Sequence, residues 1–336
     1  MKLEIVSAGP LTTVQDAGRG GYAASGFQES GVCDKLSYAL CNLLAGNDPK
    51  DGCAVLEFTL KGPTIRFDGA GIIALGGAGM DARLNDKPAP PYTPLAVRGG
   101  DTLAIGMAQT GLRGYLAVWG GLDVPVVMGS RATNLKCKTG GFEGRALKEG
   151  DVLQTGAKGP VLPKMATLSR AWQRLCRQET PELLWLLHPT HPQRFCGGRS
   201  VAVLRAVAGP QQAAFTPAGL ATFEKATYTL TPDSNRMACK LNGPVIETKN
   251  GADILSDGIV EGSVQVAANG QPIVMLADHQ TTGGYAKIAT VITADLPLLA
   301  QCRPGDQVGF RFITPEEAVE TIRGQHKALL WLKERL

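Results

Sequence analysis

Three stretches share one plan: Arg98-Gly-Gly-Asp-Thr-Leu-Ala-Ile-Gly106, Lys148-Glu-Gly-Asp-Val-Leu-Gln-Thr-Gly156 and Arg303-Pro-Gly-Asp-Gln-Val-Gly-Phe-Arg311. Each has a charged lead, a Gly-Asp turn and then a short β-favouring run. Asp after Gly suits a tight turn because its side chain can bond the following backbone. One occurrence near the end of each half hints at two related β-units. Outward from these turns the chain reads mostly as short strands. Leu3–Val6, Ala54–Leu60, Ile72–Leu75, Tyr115–Trp119, Val201–Val207, Ser263–Ala267 and Ile273–Leu276 are brief apolar runs bounded by Gly, Pro, Asn or Asp. Gly (42) and Pro (21) fit many turns better than a helical bundle. The glycine-rich 75–84, LGGAGMDARL, reads as a hairpin turn.

Helices are few. Residues 34–46 place Leu36, Ala39, Leu40, Leu43 and Leu44 on one face, with Asp34 as N-cap and Gly46 as stop. Residues 166–178 carry Leu168, Trp172, Leu175 and Cys176 at helical spacing. A last helix opens at Thr314-Pro315-Glu316-Glu317, a capping box with Pro in the first turn, and its stripe is Val319, Ile322, Leu329 and Leu330. The expected organisation is a β-barrel-like unit over 1–157, a connecting segment over 158–200, and a second such unit over 201–336 that ends in the helix.

Composition removes whole classes of function. The 336 residues are 44% apolar and 19% charged, which excludes disorder, and no apolar run reaches membrane-spanning length. A net charge of +4 is too weak to indicate nucleic acid. The opening MKLEIVSAG lacks a signal-peptide core, and eight scattered cysteines without a CxxC agree with a cytoplasmic protein of mostly buried thiols. His188 and His191, in HPTHP, read as a solvated loop and not a metal site. Neither GxxxxGK[ST], a strand-borne GxGxxG, GxSxG, HExxH nor a biotin-carrying lysine motif occurs, and no metal cluster is legible.

Two segments concentrate polar groups among glycines: Thr12–Tyr22 with Glu29–Asp34, and Ala277–Tyr285 straight after an apolar strand. A loop that shows Asp, His, Gln and two threonines before Gly-Gly offers donors for a carbonyl or phosphate oxygen and a carboxylate for a proton. A self-satisfied β-turn is the competing reading.

The runs TTVQDAGRGGY (12–22), SGVCD (30–34), AVLEFTLKGP (54–63), GLRGYLAVWGGLDVPVVMGSRAT (111–133), GGFEGRALKEGD (140–151), SNRMACKLNG (234–243), SDGIVEGSVQV (256–266) and NGQPIVMLADHQTTGGYAKIATVI (269–292) resemble the KipA-like family. That family is also called allophanate hydrolase subunit 2-like or biotin-dependent carboxyltransferase-like. The likeness is strongest to members that serve as the third component of bacterial 5-oxoprolinases. It implies a mainly β protein of two cyclophilin-like barrel units with a few short helices and a C-terminal helix. It also implies ATP-dependent opening of 5-oxo-L-proline to L-glutamate, shared with a KipI-like component and a separate lactam-opening component. The chain is then silent alone, ATP with Mg2+ belongs to the assembly, and no biotin is attached to this chain.

On that basis Gln15 and Gln280 read the lactam amide, and Asp16 or Asp278 handles its proton. Arg19, Arg131 and Arg236 serve carboxylate or phosphate, with Asp34, Thr281, Thr282, Gly283, Gly284 and Tyr285 completing the substrate contacts. His279 is not assigned as the base. The 278–285 segment is expected to serve the same pocket as Gln15, Asp16 and Arg19. Two departures from the family pattern, Ala238-Cys239-Lys240 and Ala132, bear on ligand shape. Two other roles fit the resemblance: carboxyl transfer from carboxybiotin to urea or a related amide, and non-catalytic binding of a KipI-like kinase inhibitor.

Overall fold

The computed structural model describes residues 1–156, 161–187, 193–196 and 199–336. His188 and His191 lie outside the described residues. The chain forms two compact units. The first comprises Met1–Gly20, Ser30–Pro189 and Lys327–Leu336, and the second Gly21–Glu29 and Thr190–His326.

The first unit holds β1 (Lys2–Ser7), β2 (Thr12–Gln15), β3 (Val55–Thr59), β4 (Thr64–Asp68), β5 (Gly71–Leu84), β6 (Lys87–Pro88), β7 (Leu95–Val97), β8 (Thr102–Val118) and β9 (Val152–Gln154). They join in the order β2-β3-β8-β4-β1-β9, with β5 also paired to β8, β6 and β7. The free side of β2 is covered by loops, since Thr133 N donates to Val14 O and Leu147 N to Thr12 O. Leu3, Ile5, Phe58, Ile65, Phe67, Leu103 and Leu116 fill the core. A second apolar cluster joins α1 (Lys35–Leu44), α2 (Val161–Gln178) and α3 (Pro181–Leu187) through Leu40, Leu44, Trp172, Leu175 and Leu183.

The second unit is a closed barrel. Its strands are β10 (Gln193–Cys196), β11 (Arg199–Ala208), β12 (Thr227–Leu230), β13 (Ala238–Asn242), β14 (Asp253–Gly258), β15 (Ser263–Val266), β16 (Pro272–Met275), β17 (Thr282–Tyr285), β18 (Lys287–Val291) and β19 (Gln307–Phe312). The order β11-β18-β15-β16-β13-β12-β19 is closed by a parallel β11–β19 pair, Ala202 to Ala206 against Val308 to Phe312. β14 and β17 form a separate two-stranded ribbon. Helix α4 (Pro217–Lys225) stacks Phe223 on Phe310 at 4.4 Å between ring centroids. Two further helices are α5 (Leu296–Ala300) and α6 (Pro315–Lys333), the latter counted with this unit up to His326 and with the first unit from Lys327.

The Gly-Asp turns repeat in detail. Gly100, Gly150 and Gly305 all have φ near +90°, at 93°, 85° and 91°. The Asp carboxylate of each accepts from the amide three residues earlier: Asp101 from Arg98, Asp151 from Lys148, Asp306 from Arg303, at 2.7–2.8 Å. The bond therefore runs back to the start of the turn, not forward to the following backbone. Each turn also docks on a neighbouring strand by a pair of bonds, to Phe67, Ile5 and Leu230 respectively.

Asp34 caps α1 by accepting from Ser37 N, and Gly46 follows it at φ 85°. At α6, Thr314 and Glu317 exchange the two bonds of a capping box, at 2.8 and 3.2 Å. Three local readings need correction. Residues 75–84 are not a turn but part of β5, whose register slips against β8 at Gly77–Ala82. Gly77 sits at φ 83°, and a Cβ there would lie 2.4 Å from Arg113 O, so glycine lets the strand bulge past its neighbour. On α6 the buried positions are Gln325, Ala328 and Leu332, whereas Val319 and Leu330 are over 40% exposed, so the buried stripe is displaced around the helix. On α2, Leu168, Trp172 and Leu175 are buried but Cys176 is exposed. Cys33, Cys41, Cys53 and Cys239 are buried thiols.

Candidate functional site

The first polar cluster is built where β2 ends. Asp16 closes an Asx turn by accepting from Gly18 N at 2.9 Å. Gly31, at φ 92°, packs so close that a Cβ would stand 2.8 Å from Gly18 Cα, and Val32 N donates to Asp16 O. Ser130–Thr133 meet the same turn from another part of the chain. Ser130 Oγ and Arg131 N both donate to the Asp16 carboxylate at 2.6 Å. Arg19 donates to Val127 O and Ala132 O at 3.2 and 2.8 Å, and meets no carboxylate among the described residues.

Gln15, fully buried, donates to Thr13 Oγ1 and Thr133 O at 3.0 and 3.1 Å. Its carbonyl oxygen and the buried Arg131 Nε have no partner among the described residues. Unsatisfied buried polar groups are rare, so both atoms are candidates for a ligand contact; the same Arg131 guanidinium places Nη1 3.5 Å from Gly52 O. Thus Gln15, Asp16, Arg19 and Arg131 come together. Ser130 and Thr133, not selected from the sequence, complete the cluster; the SRAT run at 130–133 was the available signal.

Asp34 belongs to a different network in the same unit. Both its oxygens face Ser37, and Ser37 Oγ lies 3.0 Å from Tyr92 OH. Asp34 N donates to Tyr115 OH, which donates to Glu57 at 2.9 Å. Burial first, and then the Glu57 carboxylate, push the Tyr115 phenol well above its ordinary range.

The second cluster lies in the barrel unit, where β16 ends. Asp278 and Arg236 form a buried two-pronged ion pair at 2.8 and 3.2 Å. Gln28 Nε2 donates to Asp278 O at 2.7 Å. His279, 5% exposed, bonds through Nδ1 to Gln280 O at 2.7 Å. A carbonyl only accepts, so Nδ1 carries the hydrogen and Nε2 of the neutral ring is left as an acceptor. Gln280 and Thr281 are half-buried, and Thr282 is exposed. The TTGGY run is not a free loop: Thr282–Tyr285 is β17, paired with β14 at Thr282–Gly258, Gly283–Asp257 and Tyr285–Asp253. Among the described residues no group of three His, Cys, Asp or Glu is arranged to hold a metal ion. No helix among them is long and apolar enough to cross a membrane.

Fold and site define a mainly β protein with its polar groups gathered on segments that leave sheet strands. This chain belongs to the family described as carboxyltransferase domain, subdomains A and B, whose profile matches residues 25–312. It is 39% identical to the C component of 5-oxoprolinase from Escherichia coli over 99% of this chain and 98% of that protein. It is 35% identical to the corresponding C component from Haemophilus influenzae over 96% and 94%. The crystal structure of Kluyveromyces lactis urea carboxylase superposes with a TM-score of 0.84 at 27% identity. That match covers 98% of this chain but only 29% of the urea carboxylase chain.

Proposed function

We propose that this chain is one component of an ATP-dependent 5-oxoprolinase, a hydrolase that opens 5-oxo-L-proline to L-glutamate. It works with a KipI-like component and a separate lactam-opening component, in the cytoplasm. The observation that carries this reading is the end-to-end match to the two bacterial 5-oxoprolinase components. A five-membered lactam is a stabilised amide, and ATP drives its opening by phosphorylating the carbonyl oxygen; water then attacks, the C–N bond breaks and phosphate leaves. The assembly supplies the nucleotide and Mg2+, and this chain binds and orients the ring.

The geometry supports that role. A lactam carries its N–H and C=O on one edge. The unpartnered Gln15 Oε1 suits the N–H and the unpartnered Arg131 Nε suits the C=O. Arg19, which meets only carbonyl oxygens among the described residues, suits the ring carboxylate. Asp16 holds Arg131 in place through its amide. The barrel unit's own cluster offers amide-binding donors from Gln280, Thr281 and Thr282, on a turn braced by the Asp278–Arg236 pair.

The test is co-expression with the KipI-like and lactam-opening components, followed by 5-oxoproline-dependent ATP hydrolysis with each component left out in turn. Turnover should require all three and vanish for this chain alone. Activity of this chain alone, or of the other two without it, refutes the proposal. The urea carboxylase fold favours a second reading, carboxyl transfer from carboxybiotin to urea or a related amide. Urea-dependent consumption of carboxybiotin, with 5-oxoproline inert, selects it.

A further inference from the structure

The ribbon that carries Thr282–Tyr285 pairs only within itself, and its ladder is irregular between Asp253 and Asp257. Most of β14 is exposed, with Leu255 at 94%. A polar clamp ties this ribbon to the barrel. Lys287, whose side chain is 3% exposed at the start of β18, donates from Nζ to Asp257 Oδ2 at 2.6 Å and to Gly258 O at 2.7 Å. Gln211 bridges the same pair: its Nε2 donates to Asp257 Oδ2, and its Oε1 accepts from Lys287 N. The buried Gln265, register partner of Lys287, donates to Tyr285 O at 3.2 Å.

A buried ammonium is a poor way to stabilise a barrel. Well-packed apolar side chains serve as well or better, because the charge must be stripped of water. What the ammonium adds is direction: two short bonds to adjacent residues of β14 leave the ribbon one position. Asp257 and Gly258 are the register partners of Gly283 and Thr282, so the clamp acts on the segment at the heart of the second cluster.

We infer that Lys287 is a positioning residue for Thr281–Tyr285, holding the β14–β17 ribbon at a fixed place on the barrel through Asp257 and Gly258. The inference rests on the proposed function, in which this segment meets the amide substrate. Lys287 itself touches no reacting atom.

The test uses the full chain with Lys287→Met, a near-isosteric apolar replacement that should leave the thermal midpoint within a few degrees. Asp257→Asn is the second variant; that side chain is half-exposed, so the barrel core is untouched. Hydrogen exchange is followed for 253–258 and 282–285 against 263–266 and 272–275. Both variants should exchange about tenfold faster in the ribbon alone, with Lys287→Arg recovering part of the protection. In the assembled enzyme, at a temperature well below the variant's thermal midpoint so that the folded fraction is complete, Lys287→Met should lower kcat by about 10–100-fold and change KM little, with Lys287→Arg restoring part of it. Unchanged ribbon exchange in both variants overturns the inference. Faster ribbon exchange with full kcat leaves the clamp standing and overturns the assignment of Thr281–Tyr285 to the substrate.

Discussion

Gly31→Ala tests how closely the first cluster depends on backbone approach. The new Cβ would lie 2.8 Å from Gly18 Cα and Gly18 N and 3.0 Å from the Ala17 carbonyl carbon, all backbone atoms that cannot rotate away. Alanine at φ 92° costs about 1–2 kcal/mol in any surroundings. Forced separation of two packed chain segments adds about 1–3 kcal/mol. The sum, about 2–5 kcal/mol, corresponds to a fall of roughly 5–15 °C in the melting midpoint of a unit this size. Gly100→Ala is the matched control: its φ is 93° and nothing lies within 4 Å of its Cβ, so it should lose only the conformational part. Calorimetry of both variants separates the two contributions. Because Gly18 lies between Asp16 and Arg19, Gly31→Ala should also abolish substrate-dependent turnover at temperatures where the unit is still folded. Equal destabilisation by the two substitutions, or a fully active Gly31→Ala assembly, refutes the reasoning.

Phe310→Ala removes a fully buried ring stacked on Phe223 and should cost about 3–5 kcal/mol, read as earlier urea unfolding of the barrel unit. Gln280→Ala should shift stability by no more than about 0.5 kcal/mol, yet lower turnover of the assembled enzyme by roughly 10²–10³; full activity removes Gln280 from the site. Asp151 is held below the ordinary carboxylate range, first by hydrogen bonds from Arg145 at 2.7 and 2.9 Å. Its folded-state pKa is the lower one, so its contribution is complete above the unfolded-state value and is lost as pH falls through the folded one. Arg145→Met should therefore flatten the loss of melting midpoint between about pH 5 and 2. An unchanged acid profile contradicts this.

Much of the architecture is legible in the chain because its signals are local. Gly-Asp followed by a β-favouring run marks the starts of β8, β9 and β19, and Asp34 and Thr314 announce their helices. Residues 75–84 mislead because glycines that permit a bulge look the same as glycines that make a turn; only the partner strand, with Arg113 O pressed against Gly77, decides. The TTGGY strand is hidden for a related reason: on an exposed ribbon nothing enforces apolar alternation. In the site, Gln15, Asp16 and Arg19 are neighbours in sequence. That Arg131 N bonds Asp16 across 115 positions follows from the fold and not from spacing. Lys287 reads as a polar interruption of the apolar run Ala286–Val291, and its role emerges only once its ammonium is seen on Asp257 and Gly258 of β14.

The proposed opening of a cyclic amide is measured most directly as L-glutamate and ADP formed from 5-oxo-L-proline by the three-component assembly, with wild-type chain and with Gln15→Met. One glutamate per ADP for the wild type, both falling together by at least about 10² in the variant, is the predicted result. Glutamate formation untouched by Gln15→Met, or no glutamate from the wild-type assembly while a urea-type amide consumes carboxybiotin, contradicts it.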